Sequence, residues 1–183
     1  MILMGLKGID CLAYLDDIIC FSATMEEHAQ KLRKIFERLE QANFKIQPEK
    51  CVFATDTVEY LGHICTPLGI RPDPRKVQAI VEYPVPKTVR DIRSFIGLAG
   101  YYRRHVPNFA KFAQPLTNLT KKNVPFIWTR EQQEAFTELK RVLSTEPLLI
   151  YPDFSQPFIV ACDASTKALG AILSQVHDGE ESL

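Results

Sequence analysis

The stretch Tyr14-Leu15-Asp16-Asp17 constrains this chain more than any other. One apolar run, Ile9-Asp10-Cys11-Leu12-Ala13-Tyr14, leads into it, and a second, Ile18-Ile19-Cys20-Phe21, leads out. Both are short and rich in β-branched and aromatic residues, so both are expected to be strands. Leu15-Asp16-Asp17 then forms the tip of a hairpin and carries two adjacent carboxylates. They repel each other there, and hairpin register does not require the pair. One reading is an ordinary solvated turn, where Asp is common. The other is a cation site, because hard divalent ions such as Mg²⁺ take one or two carboxylates together with phosphate oxygens. The pattern alone leaves both open.

Composition narrows the setting. The 183 residues suit one large domain or two small ones, and 46% of them are hydrophobic, enough for a sizeable core. Basic and acidic residues balance at 22 each, so the net charge carries no message about partners. Their distribution does. Residues 71–122 hold 11 Lys/Arg against 3 Asp/Glu, between two mildly acidic flanks. A block of that sign suits a phosphate backbone, and it equally suits a solvated helical surface. The 5 cysteines are scattered, odd in number and without a Cys-x-x-Cys pair, which argues against a disulfide framework and against a zinc site. Each adjoins an apolar run, so buried thiols are expected. Met1-Ile2-Leu3-Met4-Gly5-Leu6 lacks the basic leader of a secretory signal, and no apolar run reaches the length of a membrane span. The expectation is an intracellular, reducing compartment.

In chain order, Thr24 and Glu27 have capping-box spacing, and Ala29, Leu32, Ile35, Phe36 and Leu39 repeat at helical intervals up to Asn43. Phe44-Lys45-Ile46 is expected as a short strand, and Val58 to Ile64 as another. Gly62 inside the latter marks a bulge or a close backbone approach, and Ile70-Arg71 pairs back after a turn at Pro67-Leu68-Gly69. Pro72, Pro74, Pro84 and Pro86 mark a boundary. Three helical segments follow: residues 75–83, one capped by Thr88 with Asp91 three residues on, and one from Tyr101 interrupted at Pro107 and Pro115. Thr129 caps a further helix to about Leu143. Phe158-Ile159-Val160-Ala161-Cys162 is a strand delivering Asp163, with Gly170-Ala171-Ile172-Leu173-Ser174 as its antiparallel partner.

Tyr14-Leu15-Asp16-Asp17-Ile18-Ile19-Cys20-Phe21-Ser22 resembles the catalytic hairpin of a reverse transcriptase palm. Residues 90–104, running from Arg90-Asp91-Ile92-Arg93 to Tyr101-Tyr102-Arg103-Arg104, resemble the thumb of gypsy-like LTR retrotransposons almost residue for residue. Asp163-Ala164-Ser165 with Gly170-Ala171-Ile172-Leu173-Ser174-Gln175 resembles the start of ribonuclease H. The resemblance implies an α+β fold. It comprises the C-terminal half of a polymerase palm over residues 1–70, a helical thumb over 71–125, and a linker helix with the first strands of a ribonuclease H-like domain over 126–183. It implies RNA-directed DNA polymerase activity by two-metal nucleotidyl transfer, with Asp16 and Asp17 as ligands of Mg²⁺, or Mn²⁺ in its place, and with Asp163 as the first metal-binding carboxylate of the ribonuclease H part. It also implies that Lys50 protonates the leaving pyrophosphate or steadies the incoming triphosphate, although from spacing alone Lys50 is a surface lysine in a turn. Tyr14, Leu61, Gly62, His63, Arg90, Arg93, Arg103 and Arg104 are implied contacts to nucleic acid. From the residues alone His63 is a half-exposed strand histidine, and Asp163 a strand-ending turn residue. The implied partners are a template with its primer, deoxynucleoside triphosphates in the intact enzyme and the rest of a polyprotein, with no membrane. The implied location is the cytoplasm or a virus-like particle.

The family's palm takes a further aspartate from an earlier strand. The only upstream acidic residue here is Asp10, six positions from Asp16 and so about 20 Å away along a strand. The expectation is a segment truncated at both ends and inactive alone. The competing reading is a non-catalytic nucleic-acid-binding remnant.

Overall fold

The computed structural model describes residues 2–145, 147–164, 169–177 and 179–182. It divides into two units, 1–61 and 62–183.

In the first unit, strands β1 (Cys11–Tyr14) and β2 (Asp17–Cys20) form an antiparallel hairpin with Tyr14 opposite Asp17. The loop is therefore Leu15-Asp16 alone, and Asp17 belongs to β2. Helix α1 (Met25–Gln41) begins where the Thr24 hydroxyl accepts from the Glu27 amide, while Glu27 accepts from the Ala23 amide. Asn43 ends it with φ +57°, and the Phe44 amide returns to the Leu39 carbonyl at 2.9 Å, a left-handed helix stop. The buried stripe is narrower than the periodicity suggests. Ile35 and Leu39 join Leu3, Leu6 and Cys11 in the core, whereas Ala29 is exposed and Phe36 instead meets the ring of Phe53 edge-on. The expected strand at Phe44–Ile46 is not formed. Phe44 and Ile46 are exposed, and a lone segment with no ladder partner has nothing to hold it extended. A 3₁₀ turn, Pro48–Lys50, follows.

The expected single strand from Val58 to Ile64 is broken. It forms β3 (Val58–Tyr60) and β4 (His63–Thr66), because Leu61 and Gly62 adopt φ of +47° and +68° and turn the chain. Gly62 thus serves a turn rather than a bulge. β4 pairs with β5 (Gly69–Pro72), as Ile70-Arg71 led one to expect. Gly69 has no substitute there: a β-carbon would lie 2.2 Å from the Leu149 carbonyl oxygen, where Ile70 and Leu149 exchange backbone hydrogen bonds.

Helices α2 (Pro74–Val81), α3 (Val89–Tyr101), α4 (Phe109–Asn118) and α5 (Arg130–Ser144) share one apolar cluster. Reciprocal capping boxes, Thr88 with Asp91 and Thr129 with Gln132, fix two of the starts. Pro115 lies inside α4 instead of interrupting it. It forgoes one backbone bond and clashes with the preceding turn, at a cost of about 3 kcal/mol, but Ala113, Leu116 and Leu119 on the same face are buried in the cluster. Phe95 is fully buried, and Phe109 and Phe112 pack against the cluster, whereas Tyr101 is exposed. Further on, β6 (Ile159–Ala164) pairs antiparallel with β7 (Leu169–His177), and β7 with β8 (Glu180–Ser182).

Phe95 contacts Phe136 at 4.6 Å and Tyr83 at 5.5 Å between ring centroids. Truncating it opens a cavity between helices, so Phe95→Ala should lower stability by about 3–5 kcal/mol. The single tryptophan, Trp128, packs against the same cluster, so urea unfolding followed by its fluorescence reads this loss directly. A change below about 1 kcal/mol would contradict a close-packed helical core.

Candidate functional site

The acidic pair sits where the hairpin has least room. A two-residue loop usually carries glycine where φ is positive, yet Leu15 takes φ +53° and is 87% exposed. Asp16 follows in the loop and Asp17 opens β2, both exposed. Tyr14, across from Asp17 in register, is exposed as well. The tip therefore presents an aromatic ring and two carboxylates to solvent. Asp10 is excluded from this group. It lies in the turn before β1, is buried, and pairs with Lys34 at 3.6 Å. Lys50 is exposed in its 3₁₀ turn, and among the described residues no hydrogen bond or ion pair links it to Asp16 or Asp17. Among the described residues no group of three or more His, Cys, Asp or Glu could hold a metal ion.

In the second unit the Gly62 carbonyl is held twice. The buried Tyr102 hydroxyl donates to it at 2.7 Å, and the Asp73 amide at 3.2 Å. Asp73 is itself buried. It caps α2 by accepting from the Arg75 amide, and its carboxylate meets the Arg75 guanidinium at 3.0 Å. That side-chain contact is the main cause holding its carboxyl below the usual range. His63 lies among three rings, with centroids 5.4 Å from Tyr101, 5.3 Å from Tyr102 and 5.4 Å from His105. Arg90, Arg93, Arg103 and Arg104 are all exposed. Arg93 donates to the Thr120 carbonyl at 3.3 Å, and Arg103 and Arg104 lie in a 3₁₀ turn after α3. The backbone of Asp163 lies in β6 opposite Gly170. Its side chain, and Ser165, fall outside the described residues.

Tyr102, Asp73 and His105 were not singled out from the sequence. Asp73 had a usable signal, since Asp followed by Pro is a common helix start. Tyr102 and His105 had none, because what distinguishes them is their contact with Gly62 and with residues some forty positions on.

The likeness to known proteins follows the same course as the structure. Residues 2–65 match the family described as reverse transcriptase (RNA-dependent DNA polymerase), and residues 128–183 match the RNase H-like domain found in reverse transcriptase. The retrovirus-related Pol polyprotein from transposon 297 of Drosophila melanogaster is 46% identical over 95% of this chain, and that from transposon gypsy is 39% identical over 92%. The Tf2-3 transposon polyprotein of Schizosaccharomyces pombe is 32% identical over 96%. The chain spans only 16%, 17% and 13% of the lengths of these three relatives. Among solved structures, a foamy viral protease-reverse transcriptase in complex with double-stranded DNA matches 94% of this chain and 30% of its own, with TM-score 0.77 and 27% identity. One in complex with an RNA/DNA hybrid matches 99% of this chain and 24% of its own, with TM-score 0.76 and 26% identity. The chain belongs to the reverse transcriptase–ribonuclease H region of gypsy-type, retrovirus-related Pol polyproteins.

One electrostatic feature of this region is testable by pH. His105 is buried, and its Nδ1–H donates to the Pro147 carbonyl at 3.0 Å. Burial pushes its pKa below the ordinary histidine value, the Pro147 contact pulls the other way, and His63 adds to the depression. A depressed histidine holds fewer protons folded than unfolded. Its contribution is therefore complete above the unfolded value of about 6.5 and is lost as the pH falls through the folded value. Asp73 loses its contribution only in a lower, carboxylate range. The denaturation midpoint should fall between pH 7.5 and pH 5, and His105→Phe should flatten that slope. An unchanged slope in the variant would show that His105 does not carry it.

Proposed function

We propose that this chain supplies the catalytic hairpin, the primer-positioning turn and the thumb of an RNA-directed DNA polymerase, together with the start of its ribonuclease H-like part. The observation that carries the reading is the exposed Asp16-Asp17 pair at the tip of a two-residue loop, with Tyr14 and Asp17 locked in register. The three-part division into palm (1–70), thumb (71–125) and ribonuclease H-like segment (126–183) belongs to the proposal. The family matches, lying within 2–65 and 128–183, support its first and last parts.

Asp16 and Asp17 offer hard oxygen donors only, which suits Mg²⁺ or Mn²⁺ and not a thiolate-seeking metal. They fit such an ion in kind and would hold part of its coordination sphere. A divalent ion bound there supplies charge stabilisation at the transferring phosphoryl group and lowers the pKa of the attacking hydroxyl. The chain's own residues do the rest. Tyr14 lies beside the carboxylates as an exposed ring against which a nucleotide can stack. Leu61, Gly62 and His63 position the primer strand, with the Gly62 carbonyl fixed by Tyr102. Arg90, Arg93, Arg103 and Arg104 meet phosphates. Lys50 is the candidate proton donor to pyrophosphate, and Asp163 the first carboxylate of the ribonuclease H-like site. Template with primer, deoxynucleoside triphosphates and the remainder of a polyprotein are the partners. On this reading the working compartment is intracellular, the cytoplasm or a virus-like particle.

In a polymerase containing this segment, Asp16→Asn should abolish primer extension while primer–template affinity stays within about twofold, since only a charge that acts in the transition state is removed. Full extension by that variant would remove Asp16 from the site.

The non-catalytic reading is favoured by one observation: Asp10, the acidic residue upstream of the pair, is buried and engaged by Lys34 at 3.6 Å, away from Asp16 and Asp17. The 183 residues by themselves should therefore bind primer–template and catalyse nothing. Binding through phosphate contacts releases counterions, so affinity should fall steeply with salt, and Arg103→Gln with Arg104→Gln should reduce the log–log slope by about 2. Binding that ignores salt would take the thumb out of the interface, and extension by the isolated chain would show that two carboxylates suffice.

A further inference from the structure

The register that puts Asp16 and Asp17 at the tip also sets what meets at the base of the same hairpin. There Cys11 stands directly opposite Cys20. A two-residue loop makes its flanking pair, Tyr14 and Asp17, a hydrogen-bonded one. Alternation along the ladder then makes Cys11 and Cys20 a non-hydrogen-bonded pair, with Cα atoms about 4.5 Å apart and side chains at their closest. A disulfide needs Cα atoms about 4.4–6.8 Å apart, so such a pair closes without backbone movement. Opposed residues project to one face: Cys11 is buried in the apolar cluster with Leu3, Leu6, Ile35 and Leu39, and Cys20 packs against that cluster.

Both thiols are free, and burial raises each above its ordinary value, so both rest protonated. They differ in access and surroundings. Cys11 is fully buried, while Cys20 is half-buried. The Nδ1 atom of His28 lies 3.9 Å from the Cys20 sulfur and 2.8 Å from the Ser22 hydroxyl, which steadies the ring. Cys20 thus has a route to solvent and a proton acceptor beside it, and Cys11 waits across the ladder.

We propose that Cys11 and Cys20 are a redox pair that reacts with a hydroperoxide and closes the base of the hairpin as a disulfide. Cys20 passes its proton to His28, and its sulfur attacks one peroxide oxygen. The O–O bond breaks, the leaving oxygen departs as alcohol or water after taking up a proton, and Cys20 becomes a sulfenic acid. The Cys11 sulfur then attacks the Cys20 sulfur. The S–O bond breaks, the S–S bond forms, and the hydroxyl leaves as water with the Cys11 proton. With hydrogen peroxide, two thiols and one oxidant give one disulfide and two waters. The pairing holds whether or not the hairpin catalyses polymerisation, so it can fail without touching that reading.

The test uses the reduced, purified 183-residue chain and hydrogen peroxide at one equivalent. After oxidation, free thiols are alkylated and the chain is cleaved N-terminal to aspartate and C-terminal to lysine and arginine, which separates Cys11 from Cys20 at Asp16 and Asp17 and Cys20 from Cys51 at Lys31 and Lys50. The expected product is the Cys11 peptide linked to the Cys20 peptide, formed before Cys51, Cys65 or Cys162 is consumed and released by dithiothreitol. Cys20→Val, a residue suited to a strand, should leave Cys11 unoxidised and alkylatable on unfolding. His28→Gln should slow closure by roughly 10²-fold, the low end for a positioned base, and an unchanged rate would overturn the role of His28. Recovery of Cys11 and Cys20 as separate alkylated peptides, or linkage of either to another cysteine, would overturn the pair itself.

Discussion

The register of β1 against β2 is the constraint on which the first unit depends. Side chains along a strand alternate faces, so a slip of one residue would exchange every inward group for an outward one. Held in register, the hairpin buries Cys11 against Ile35 and Leu39 and leaves Leu12 and Tyr14 outside. Slipped, it would bury the Tyr14 hydroxyl without a partner and expose the cysteine that anchors the cluster. The fully buried Cys11 end and the two-residue loop therefore pin the ladder from both sides. Asp16 and Asp17 are placed by this packing and by the ladder, and among the described residues no side-chain hydrogen bond or ion pair of their own holds them.

The second unit places its groups by another route, through buried polar atoms that find partners. The Tyr102 hydroxyl and the Asp73 amide converge on the Gly62 carbonyl, and the Asp73 carboxylate is taken up by Arg75 and the start of α2. Each such group is costly to bury alone and close to neutral when satisfied. What they add is direction, since an apolar contact tolerates sliding and a hydrogen bond at 2.7 Å does not. The turn at Leu61-Gly62 and the ring of His63 inherit that definition. This is the physical reason to expect a positioning role from the segment, where a flexible loop with the same sequence would have none.

The parts legible in the sequence were those whose physics is local. Thr88 with Asp91, Thr129 at the start of α5 and Asn43 at the end of α1 each act within a few residues, and the structure uses all three. The hairpin and the β6–β7 pairing were legible because alternation and turn spacing are local too. The misses needed partners that spacing does not reveal. Phe44-Lys45-Ile46 has strand composition but no strand beside it. Pro115 would end an isolated helix, and only the burial of Leu116 and Leu119 carries α4 through it. Leu61 gave no warning of a positive φ, because leucine is among the residues least suited to one.

That last point bears on the candidate site itself. Among the described residues, the non-glycine residues with positive φ include three asparagines, which tolerate the conformation, and two leucines, which do not. The leucines are Leu15 and Leu61, one at the acidic tip and one at the turn before His63. Each costs about 1–2 kcal/mol relative to a relaxed backbone. At Leu15 packing returns nothing, because the side chain is 87% exposed. Glycine would relieve the strain, but it would also free the loop to sample other turns. A leucine held there by ladder bonds on both sides has few other states to visit, so the backbone that carries the two aspartates keeps one course. Strain of this kind persists only where surrounding structure over-determines it, and here the ladder running back to Cys11 and Cys20 is that structure.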